Sequence, residues 1–412
     1  MSAEKDASGS GLRRVCVIGL GHIGLPTASV LATAGVHVIG VDVDPRIVEV
    51  INSGNIHIQE QDLDVLVRAA VLSGQLRATC QVEEADAFLI AVPTPFREGY
   101  APDLTAVQDA VRAVLRVIRK GNLVILESTC PVGTTEALVA APLEEQGYKV
   151  GTDVFVAYCP ERVLPGRVLK ELVDNDRVIG GMTPNCTVRA TELYRKFVRG
   201  QCHITGCRTA ELVKLAENAY RDANIAFANE MSMVCAEMGI DVWELIGLAN
   251  RHPRVSILRP GPGVGGHCIA VDPWFIVSRA PTTARLIRKA REVNIEKAHW
   301  TVERIMRAAR GLERPTIAVL GVAYKADVDD VRESPALEIA RALKARQVGR
   351  IVIVDPHVSE VPGFEILPLS RAIAEADIVA VMVPHRAFRP LPPLDGKKLL
   401  DFCGLTSEVP DA

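Results

Sequence analysis

The sequence places one cysteine at the end of a glycine-rich loop. Residues 260–266 include four glycines, and His267 and Cys268 follow them directly. Glycines let the main chain pass close to a ligand, and nearby cations or N–H groups would lower the thiol pKa below its usual ~8.5 and create a nucleophile. An isolated cysteine is otherwise a small packed hydrophobic residue, as we expect for the other nine.

Three polar side chains share one face of a predicted helix. Lys214, Asn218 and Arg221 are spaced i, i+4, i+7 within residues 209–238, a stretch free of Pro and Gly. An amine, an amide and a guanidinium together suit an oxyanion or a hydroxylated anionic ligand. A solvated polar face would show the same spacing, so both interpretations stay open at this point.

A glycine cluster follows the first predicted strand and opens a helix. Gly19, Gly21 and Gly24 have the spacing of a dinucleotide-binding turn, and Asp42 ends the next strand. The glycines would provide the tight turn, the approach of N–H groups to a pyrophosphate and the packing of helix on strand. The carboxylate would hold the adenosine ribose and repel a 2′-phosphate, so the sequence predicts NAD and not NADP.

Five further residues lie at the predicted cofactor edge. His22 and Ile23 belong to the glycine turn, and Arg46 either covers the adenosine or is an ordinary solvated arginine. Thr94 and Thr129 lie in VPTP and STCPVGTT, each after an apolar strand. The carboxyl ends of parallel strands line the ligand crevice, so both hydroxyls are expected there, although turn and N-cap chemistry would explain them too.

Other segments add charged groups suited to an anionic ligand. Glu161 and Arg162 follow another strand, and His252 and Arg254 precede the glycine loop in a pattern that suits phosphate. Residues 324–334 follow the first strand of a later domain and repeat the strand–loop–helix position of the cofactor site. Of the glycines of the cofactor turn, this region keeps only Gly321, just before the segment, so a second dinucleotide site is not expected.

Apolar runs alternate with helical stretches early in the chain and again near its end. This alternation predicts an α/β fold with two Rossmann-like open parallel sheets joined by a long central helix. The expected division is a flexible tail at 1–12, an NAD-binding Rossmann domain at 13–206, a central helical domain at 207–312 and a C-terminal α/β domain at 313–412.

Composition excludes several classes of protein. Apolar residues make up 48 % of the 412 and charged residues 24 %, as in folded proteins. The net charge of -3 is dispersed, so nucleic acid is not an expected partner. No membrane span or signal peptide is expected, which favours the cytoplasm. The ten cysteines form no CxxC motif, so we expect reduced thiols and no metal site, with a Cys202–Cys207 pairing disfavoured.

Taken together, these motifs resemble the nucleotide-sugar 6-dehydrogenase family, whose NAD-dependent members oxidise the C6 alcohol of a UDP-sugar to a carboxylate. The resemblance covers nearly the whole chain, through GLGHIGLP, VPTP, STCPVGTT, CPERVLPGR, AELVKLAENAYRDANIAFANE, RHPRVSI, GPGVGGHC and YKADVDDVRESP. CPERVLPGR, ANRHPRVSIL and GHCIAVDPWF are most similar to the branch that oxidises UDP-N-acetylmannosamine. His22 and Ala270 depart mildly from the family pattern, and neither change removes a catalytic group.

The resemblance implies a four-electron oxidation that uses two NAD molecules in turn. Cys268 would capture the aldehyde as a thiohemiacetal and then carry a thioester that water hydrolyses. Lys214 would be the acid/base, and Asn218 would hydrogen-bond the oxyanion. Asp272 would assist the water and Glu161 the proton transfer. Arg332 would reach the cofactor, and the UDP-sugar would be held by Lys214, Asn218, Arg162, Val163, Arg221, His252, Arg254, Gly265, Tyr324 and Lys325.

Several alternatives stay open. In the first alternative, the same reaction takes place on UDP-N-acetylglucosamine or UDP-glucose. In the second, the protein is a two-electron alcohol dehydrogenase, and Cys268 has no part in the reaction. A nucleotide-sugar-binding regulator without catalysis predicts loss of the thiol or the lysine, and both are present.

A homodimer through the central helix is expected, although packing within one chain would explain the same residues, Ala226, Ala228, Met231 and Met233.

Overall fold

The computed structural model describes residues 11–164, 166–266 and 268–407. The chain divides into two compact units between Ala216 and Glu217. Of the predicted tail, residues 1–10 lie outside the described range. Leu12 does not belong to a loose tail, because its side chain is fully buried in the core of the first unit. The other domain boundaries remain predictions.

The first unit is built on one eight-stranded sheet. Its strands are β1 (Arg14–Ile18), β2 (His37–Val41), β3 (Leu76–Thr79), β4 (Ala87–Ile90), β5 (Leu123–Leu126), β6 (Phe155–Tyr158), β7 (Arg177–Gly181) and β8 (Cys202–Gly206). They lie in the order β3-β2-β1-β4-β5-β6-β7-β8. Every pair of neighbours is parallel except β6 and β7, which are antiparallel.

Helices cover both faces of this sheet. They are α1 (Gly24–Thr33), α2 (Pro45–Asn52), α3 (Leu63–Leu72), α4 (Thr105–Val114), α5 (Ala141–Glu145), α6 (Val168–Asp174), α7 (Pro184–Tyr194) and the start of α8 (Cys207–Met238), with a 3₁₀ turn at Glu98–Tyr100 and a π-helical turn at Thr135–Ala140. Along β1, Val15 and Val17 join one apolar cluster, whereas Cys16 and Ile18 join another. Because successive side chains of a strand point to opposite faces, this continuous apolar run is buried on both sides.

The second unit contains a smaller sheet that is parallel throughout. Its strands are β9 (Thr316–Leu320), β10 (Arg350–Val354), β11 (Glu365–Ile366), β12 (Ile378–Val381) and β13 (Lys398–Asp401), in the order β11-β10-β9-β12-β13. Its helices are the rest of α8 together with α9 (Val242–Ala249), α10 (Asp272–Arg279), α11 (Arg285–Ala309), α12 (Pro335–Ala345) and α13 (Leu369–Glu375), with a 3₁₀ turn at Arg386–Phe388.

A buried ion pair joins α8 to α11 within the second unit. Arg291 donates to Asp222 at 2.6 Å, and Asn294 donates to the same carboxylate oxygen at 2.8 Å. These contacts fix the part of α8 that carries Asn218. The two open sheets confirm the predicted α/β fold, but β7 and β8 run antiparallel to the other six strands of the first sheet, which departs from the expected parallel order. Within the described ranges, every helix is too short or too polar to span a membrane.

Candidate active site

The glycine turn leaves β1 at the carboxyl edge of the first sheet. Gly19 has φ +91°, a region that favours glycine, and its N–H donates to the Val41 oxygen at 2.8 Å. A Cβ on Gly24 would lie 1.7 Å from the Gly19 oxygen, so helix α1 can start this close only with glycine. A Cβ on Gly21 would meet no atom within 4 Å, and the chain therefore faces open space there.

Asp42 stands at the end of β2, beside this turn. One of its oxygens accepts the Leu20 N–H at 3.0 Å, and the other accepts the Asp44 N–H at 3.0 Å. The two bonds fix the carboxylate where a dinucleotide ribose needs an acceptor. Arg46 is 88 % exposed and pairs with Asp44, which caps α2. Its guanidinium lowers the pKa of the Asp44 carboxyl through their hydrogen bonds.

The residues of the turn fit NAD. Helix α1 has no acidic side chain in its first turn, so the positive end of its dipole faces the space beside Gly21 without a nearby carboxylate. His22 is exposed and Ile23 is half-buried at the start of the helix. A pyrophosphate would therefore meet backbone N–H groups, while Asp42 would accept from the ribose.

Two loops of the predicted cofactor edge are hydrogen-bonded to each other. The Thr94 hydroxyl donates to the Thr129 oxygen at 2.6 Å, and the Ser128 hydroxyl donates to the Val92 oxygen at 2.8 Å. The structure thus brings together the two predicted threonines. The hydroxyls of Thr94 and Ser128 both donate to main-chain oxygens and so join the two loops.

Glu211 of α8 holds the second of these loops, although it was not predicted from the sequence. Its fully buried carboxylate accepts the Gly133 N–H at 2.6 Å, the Thr135 N–H at 2.8 Å and the Thr135 hydroxyl at 2.7 Å. A charged acceptor with several donors binds more strongly than a neutral one. The first turns of α8 are therefore anchored one turn before Lys214.

Lys214 lies against the segment that follows β6. Its Nζ donates to the main-chain oxygen of Glu161 at 2.7 Å. The Glu161 side chain is 7 % exposed; one oxygen accepts from Arg177 Nη1 at 2.6 Å, and the other accepts the Arg162 N–H at 2.7 Å. The structure brings together two predicted residues, Lys214 and Glu161, and adds Arg177, which was not predicted.

A second carboxyl lies in the same buried cluster. Glu127 accepts from the Tyr194 hydroxyl at 2.6 Å, and the Arg177 guanidinium carbon lies 5.7 Å from the centre of the Tyr194 ring. Burial raises the pKa of Glu127 to about 7. The charge of Glu161 acts in the same direction, whereas the Tyr194 hydrogen bond and Arg177 oppose it.

The predicted sugar-binding loop after Glu161 is fixed from two sides. Arg162 donates to the Asp176 oxygen at 2.6 Å, and Val163 is half-buried against the core. Glu60, which was not predicted, accepts the N–H groups of Gly166 and Val168, each at 2.9 Å. Residues 56–61 and Gly166 line an open cavity of about 620 Å³ beside this loop.

The second unit groups three of the predicted catalytic residues. Asn218 donates to Asp272 at 2.5 Å, and the Asp272 N–H donates to the Cys268 oxygen at 2.8 Å. Asp272 is 3 % exposed, whereas Cys268 is exposed. Burial raises the pKa of Tyr324, and the negative charge of Asp330 adds to this effect.

The glycine loop also packs against residues 324–334. A Cβ on Gly265 would lie 2.3 Å from the Glu333 oxygen, so that position requires glycine. A Cβ on Gly266 would lie 3.0 Å from the Tyr324 ring. Lys325 is exposed, and Arg332 pairs with Asp330 at 2.7 Å. Two predicted substrate contacts, Gly265 and Tyr324, therefore lie in adjoining segments.

Other predicted residues are not brought into this group. Arg221, His252 and Arg254 are exposed, and the Arg254 N–H donates to His252 Nδ1 at 3.3 Å. None of the hydrogen bonds recorded for residues 11–164, 166–266 and 268–407 joins them to Asn218 or Asp272.

One group in the second unit has metal-ligating side chains. Ligand atoms of Asp327, His357 and His385 lie within 4.8 Å of one another. Nδ1 of His385 already accepts the Asp327 N–H at 3.0 Å, and the Arg386 guanidinium donates to the Asp327 carboxylate at 2.7 Å. Nδ1 of His385 and one oxygen of Asp327 are therefore engaged within the protein.

Three family models match the chain. The NAD binding domain of the UDP-glucose/GDP-mannose dehydrogenase family matches residues 13–198, the central domain matches 208–296 and the UDP binding domain matches 318–405. These matches bear out the predicted cofactor, NAD, and the family that the sequence motifs resemble.

Similar proteins cover nearly the full chain. It is 55 % identical over 408 residues to the NDP-N-acetyl-D-galactosaminuronic acid dehydrogenase of Ralstonia solanacearum, with 96 % of both chains covered. It is 51 % identical over 405 residues to the UDP-N-acetyl-D-mannosamine dehydrogenase of Campylobacter jejuni, covering 95 % of this chain and 99 % of that one. The UDP-N-acetyl-mannosamine dehydrogenase structure from Staphylococcus aureus aligns with TM-score 0.88 at 40 % identity, with 95 % of both chains covered. The chain therefore belongs to the UDP-glucose/GDP-mannose dehydrogenase family of NAD-dependent dehydrogenases.

Proposed function

We propose that the chain oxidises the C6 alcohol of a UDP-N-acetylhexosamine to the carboxylate, with UDP-N-acetylmannosamine as the first candidate substrate. The proposal is supported by relatives named for that substrate at 51 % identity over almost the whole chain. It is also supported by the motifs that follow β6 and precede α10, which resemble those of the same branch.

A specific observation favours a second candidate sugar. The relatives at 54 and 55 % identity are named NDP-N-acetyl-D-galactosaminuronic acid dehydrogenases, which points to an N-acetylgalactosamine nucleotide. UDP-N-acetylglucosamine and UDP-glucose remain alternatives with the same chemistry. N-acetylmannosamine and N-acetylgalactosamine each differ from N-acetylglucosamine at one stereocentre, so the choice among the three requires a direct assay.

The proposed reaction removes four electrons in two steps. NAD, when bound, accepts one hydride in each step. After the first step, the Cys268 thiol adds to the C6 aldehyde and forms a C–S bond, which gives a thiohemiacetal. The second hydride leaves that carbon as the thioester forms, and water then breaks the C–S bond to release carboxylate and thiol. Overall, the alcohol, two NAD⁺ and one water give the carboxylate, two NADH and three protons.

The other proposed roles follow from the proton and charge changes. Lys214 takes the hydroxyl proton and, as an ammonium, stabilises the developing oxyanion, while Asn218 donates a hydrogen bond to it. Asp272 orients the amide of Asn218 and assists the hydrolytic water. Glu161 contributes through the main-chain oxygen that accepts from Lys214. Proton transfer by its carboxylate remains a prediction.

The exposed thiol of Cys268 carries the four-electron proposal. Seven of the ten cysteines are buried, and the thiols of Cys16, Cys159 and Cys207 have pKa values raised to about 12 by burial. Such thiols are poor nucleophiles because the thiolate is the reactive form. Cys80 is the other exposed cysteine, and it provides a matched control.

The experiment measures NADH released per sugar with limiting UDP-N-acetylmannosamine, and in parallel with the N-acetylgalactosamine, N-acetylglucosamine and glucose nucleotides. We expect two NADH per sugar. Cys268→Ser should abolish the second oxidation, whereas Cys80→Ser should match the wild type. One NADH per sugar with normal turnover of Cys268→Ser would reduce the protein to a two-electron alcohol dehydrogenase, and two NADH from another sugar would change the substrate.

We also propose that a second copy of the chain covers an apolar stripe on α8. Tyr220, Phe227 and Met238 are 74, 51 and 68 % exposed and fall on one helical face. Ala226 and Ala228, from which a seam was predicted, are buried within their own chain. Light scattering after size exclusion should give a dimer, and Tyr220→Glu combined with Phe227→Glu should give a monomer. A monomeric wild type at micromolar concentration would refute the dimer.

A further inference from the structure

We propose that Arg177 is a positioning residue that acts through Glu161 to fix the hydrogen-bond acceptor of Lys214. This inference rests on the proposed function, because it gives Arg177 a part in the work of the proposed acid/base. It adds a residue from a strand that the sequence motifs of the family resemblance do not include.

The contacts form a continuous path within the first unit. Arg177 Nη1 donates to one Glu161 oxygen at 2.6 Å, and the Arg162 N–H donates to the other at 2.7 Å. The main-chain oxygen of the same glutamate accepts from Lys214 Nζ at 2.7 Å. Both carboxylate oxygens of Glu161 and its main-chain oxygen are therefore hydrogen-bonded. The position of the main-chain oxygen that accepts from Lys214 follows from the position of the carboxylate.

Arg177 is itself held rigidly. It is 3 % exposed, starts strand β7 and donates through Nη2 to the Leu172 oxygen at 3.1 Å. A guanidinium presents several donors in a fixed planar fork, so two acceptors at different places determine its orientation. A lysine in its place would keep the charge but would lack the second donor arm at that distance.

The buried charge has a structural explanation as well, and the two must be separated. Taking one partner from a buried ion pair leaves an uncompensated charge and strongly destabilises the folded protein. A merely structural Arg177 would therefore change stability and leave the protonation of Lys214 unaltered. A positioning Arg177 must change the behaviour of the Lys214 amine in a protein that remains folded.

The test uses Arg177→Lys, with Arg189→Lys as the matched control. Arg189 also belongs to the first unit and pairs with Glu192 at 2.7 Å, whereas the Glu161 carboxylate accepts from Arg177 and Arg162. An ammonium that loses a hydrogen-bond acceptor gives up its proton more readily, so we expect the acid limb of the kcat profile to move to lower pH by about one unit. Misplacing the amine should also lower kcat at the optimum about tenfold to a hundredfold, with KM for NAD unchanged.

A second measurement does not depend on turnover. Competitive labelling of the native protein with acetic anhydride, read by mass spectrometry, gives the pH at which the Lys214 amine becomes reactive. The exposed Lys170 is the internal standard. Arg177→Lys should lower the Lys214 midpoint and leave that of Lys170 in place. If Arg177→Lys does not fold, Glu161→Gln breaks the same ion pair with almost no change in volume and should produce the same shift.

The outcomes separate this inference from the proposed function. A folded Arg177→Lys whose Lys214 labelling midpoint and kcat profile match those of Arg189→Lys overturns the positioning role. A wild type that releases no NADH from any of the UDP-sugars overturns the proposed function, while the labelling midpoint still reports whether Arg177 acts on the amine.

Discussion

Glu127 provides a pH-dependent element of stability that Glu127→Gln should remove. Its carboxyl is 4 % exposed and accepts from the Tyr194 hydroxyl at 2.6 Å. Burial raises its pKa from 4.5 to about 7. Between these two values the folded protein holds a proton that the unfolded chain has lost. The free energy of unfolding therefore falls as pH rises from about 4.5 to 7, and it is level above that.

The size of the effect follows from the pKa difference. One pKa unit corresponds to about 1.4 kcal/mol, so the wild type should lose about 2 to 3 kcal/mol between pH 5 and pH 8 through this group. The amide of Glu127→Gln keeps the Tyr194 hydrogen bond, and its buried N–H₂ group adds a cost that is the same at both pH values. The difference in the free energy of unfolding between Glu127→Gln and the wild type therefore changes from pH 5 to pH 8 only through the titration of Glu127.

The assay is urea unfolding at pH 5 and pH 8, followed by circular dichroism and by tryptophan fluorescence. All three tryptophans lie in the second unit, so fluorescence provides an internal reference while circular dichroism follows both units. Glu136→Gln, in an exposed pair with Arg208, is the control and should show no comparable gain. The reasoning is wrong if Glu127→Gln gains no stability relative to the wild type between pH 5 and pH 8.

Two further predictions concern other parts of the chain. Gly24→Ala should destabilise the first unit, because its Cβ would lie 1.7 Å from a carbonyl oxygen. Gly21→Ala should keep the melting temperature of the wild type and weaken NAD binding, because its Cβ would meet no atom within 4 Å. Thermal scans measure the first effect, and NADH fluorescence titration measures the second. Lys297 is 2 % exposed and donates to Ser232 at 2.6 Å, and burial lowers its pKa to about 7. Here the unfolded chain binds the extra proton, so stability should rise by about 2 kcal/mol from pH 7 to pH 9, and Lys297→Met should lose this slope in urea unfolding.

The elements that the sequence predicts well are those with strong local patterns. The glycine turn between β1 and α1 lies where its spacing predicted it, and the helix predicted within the Pro- and Gly-free residues 209–238 is α8 to within two residues. In contrast, β7 begins with a charged residue and ends in two glycines, and most of β8 is exposed. Neither strand has the alternation or the apolar run by which a strand is recognised in a sequence.

The missed residues of the candidate site depend on contacts that one sequence does not contain. Glu127 meets Tyr194 across 67 positions, and Glu161 meets Arg177 across 16, on a strand that was not predicted. Glu211 is different, because it lies three positions before Lys214 on α8. Extending the polar face of that helix backward by one turn would have included it.

The two buried carboxyls of the first unit explain why one of them titrates near neutrality. The Arg177 guanidinium donates its hydrogen bond to Glu161, whereas among the described residues Glu127 accepts a hydrogen bond only from the neutral hydroxyl of Tyr194. A buried carboxyl without a cationic partner reduces its cost by keeping its proton. The geometry around Lys214 and the pH dependence of stability therefore belong to different members of one cluster. At pH 6, where Glu127 is mainly protonated, Glu127→Gln should leave kcat near that of the wild type, whereas Arg177→Lys should lower kcat at its own pH optimum. Equal losses of kcat in both variants would show that the cluster acts as one undivided unit.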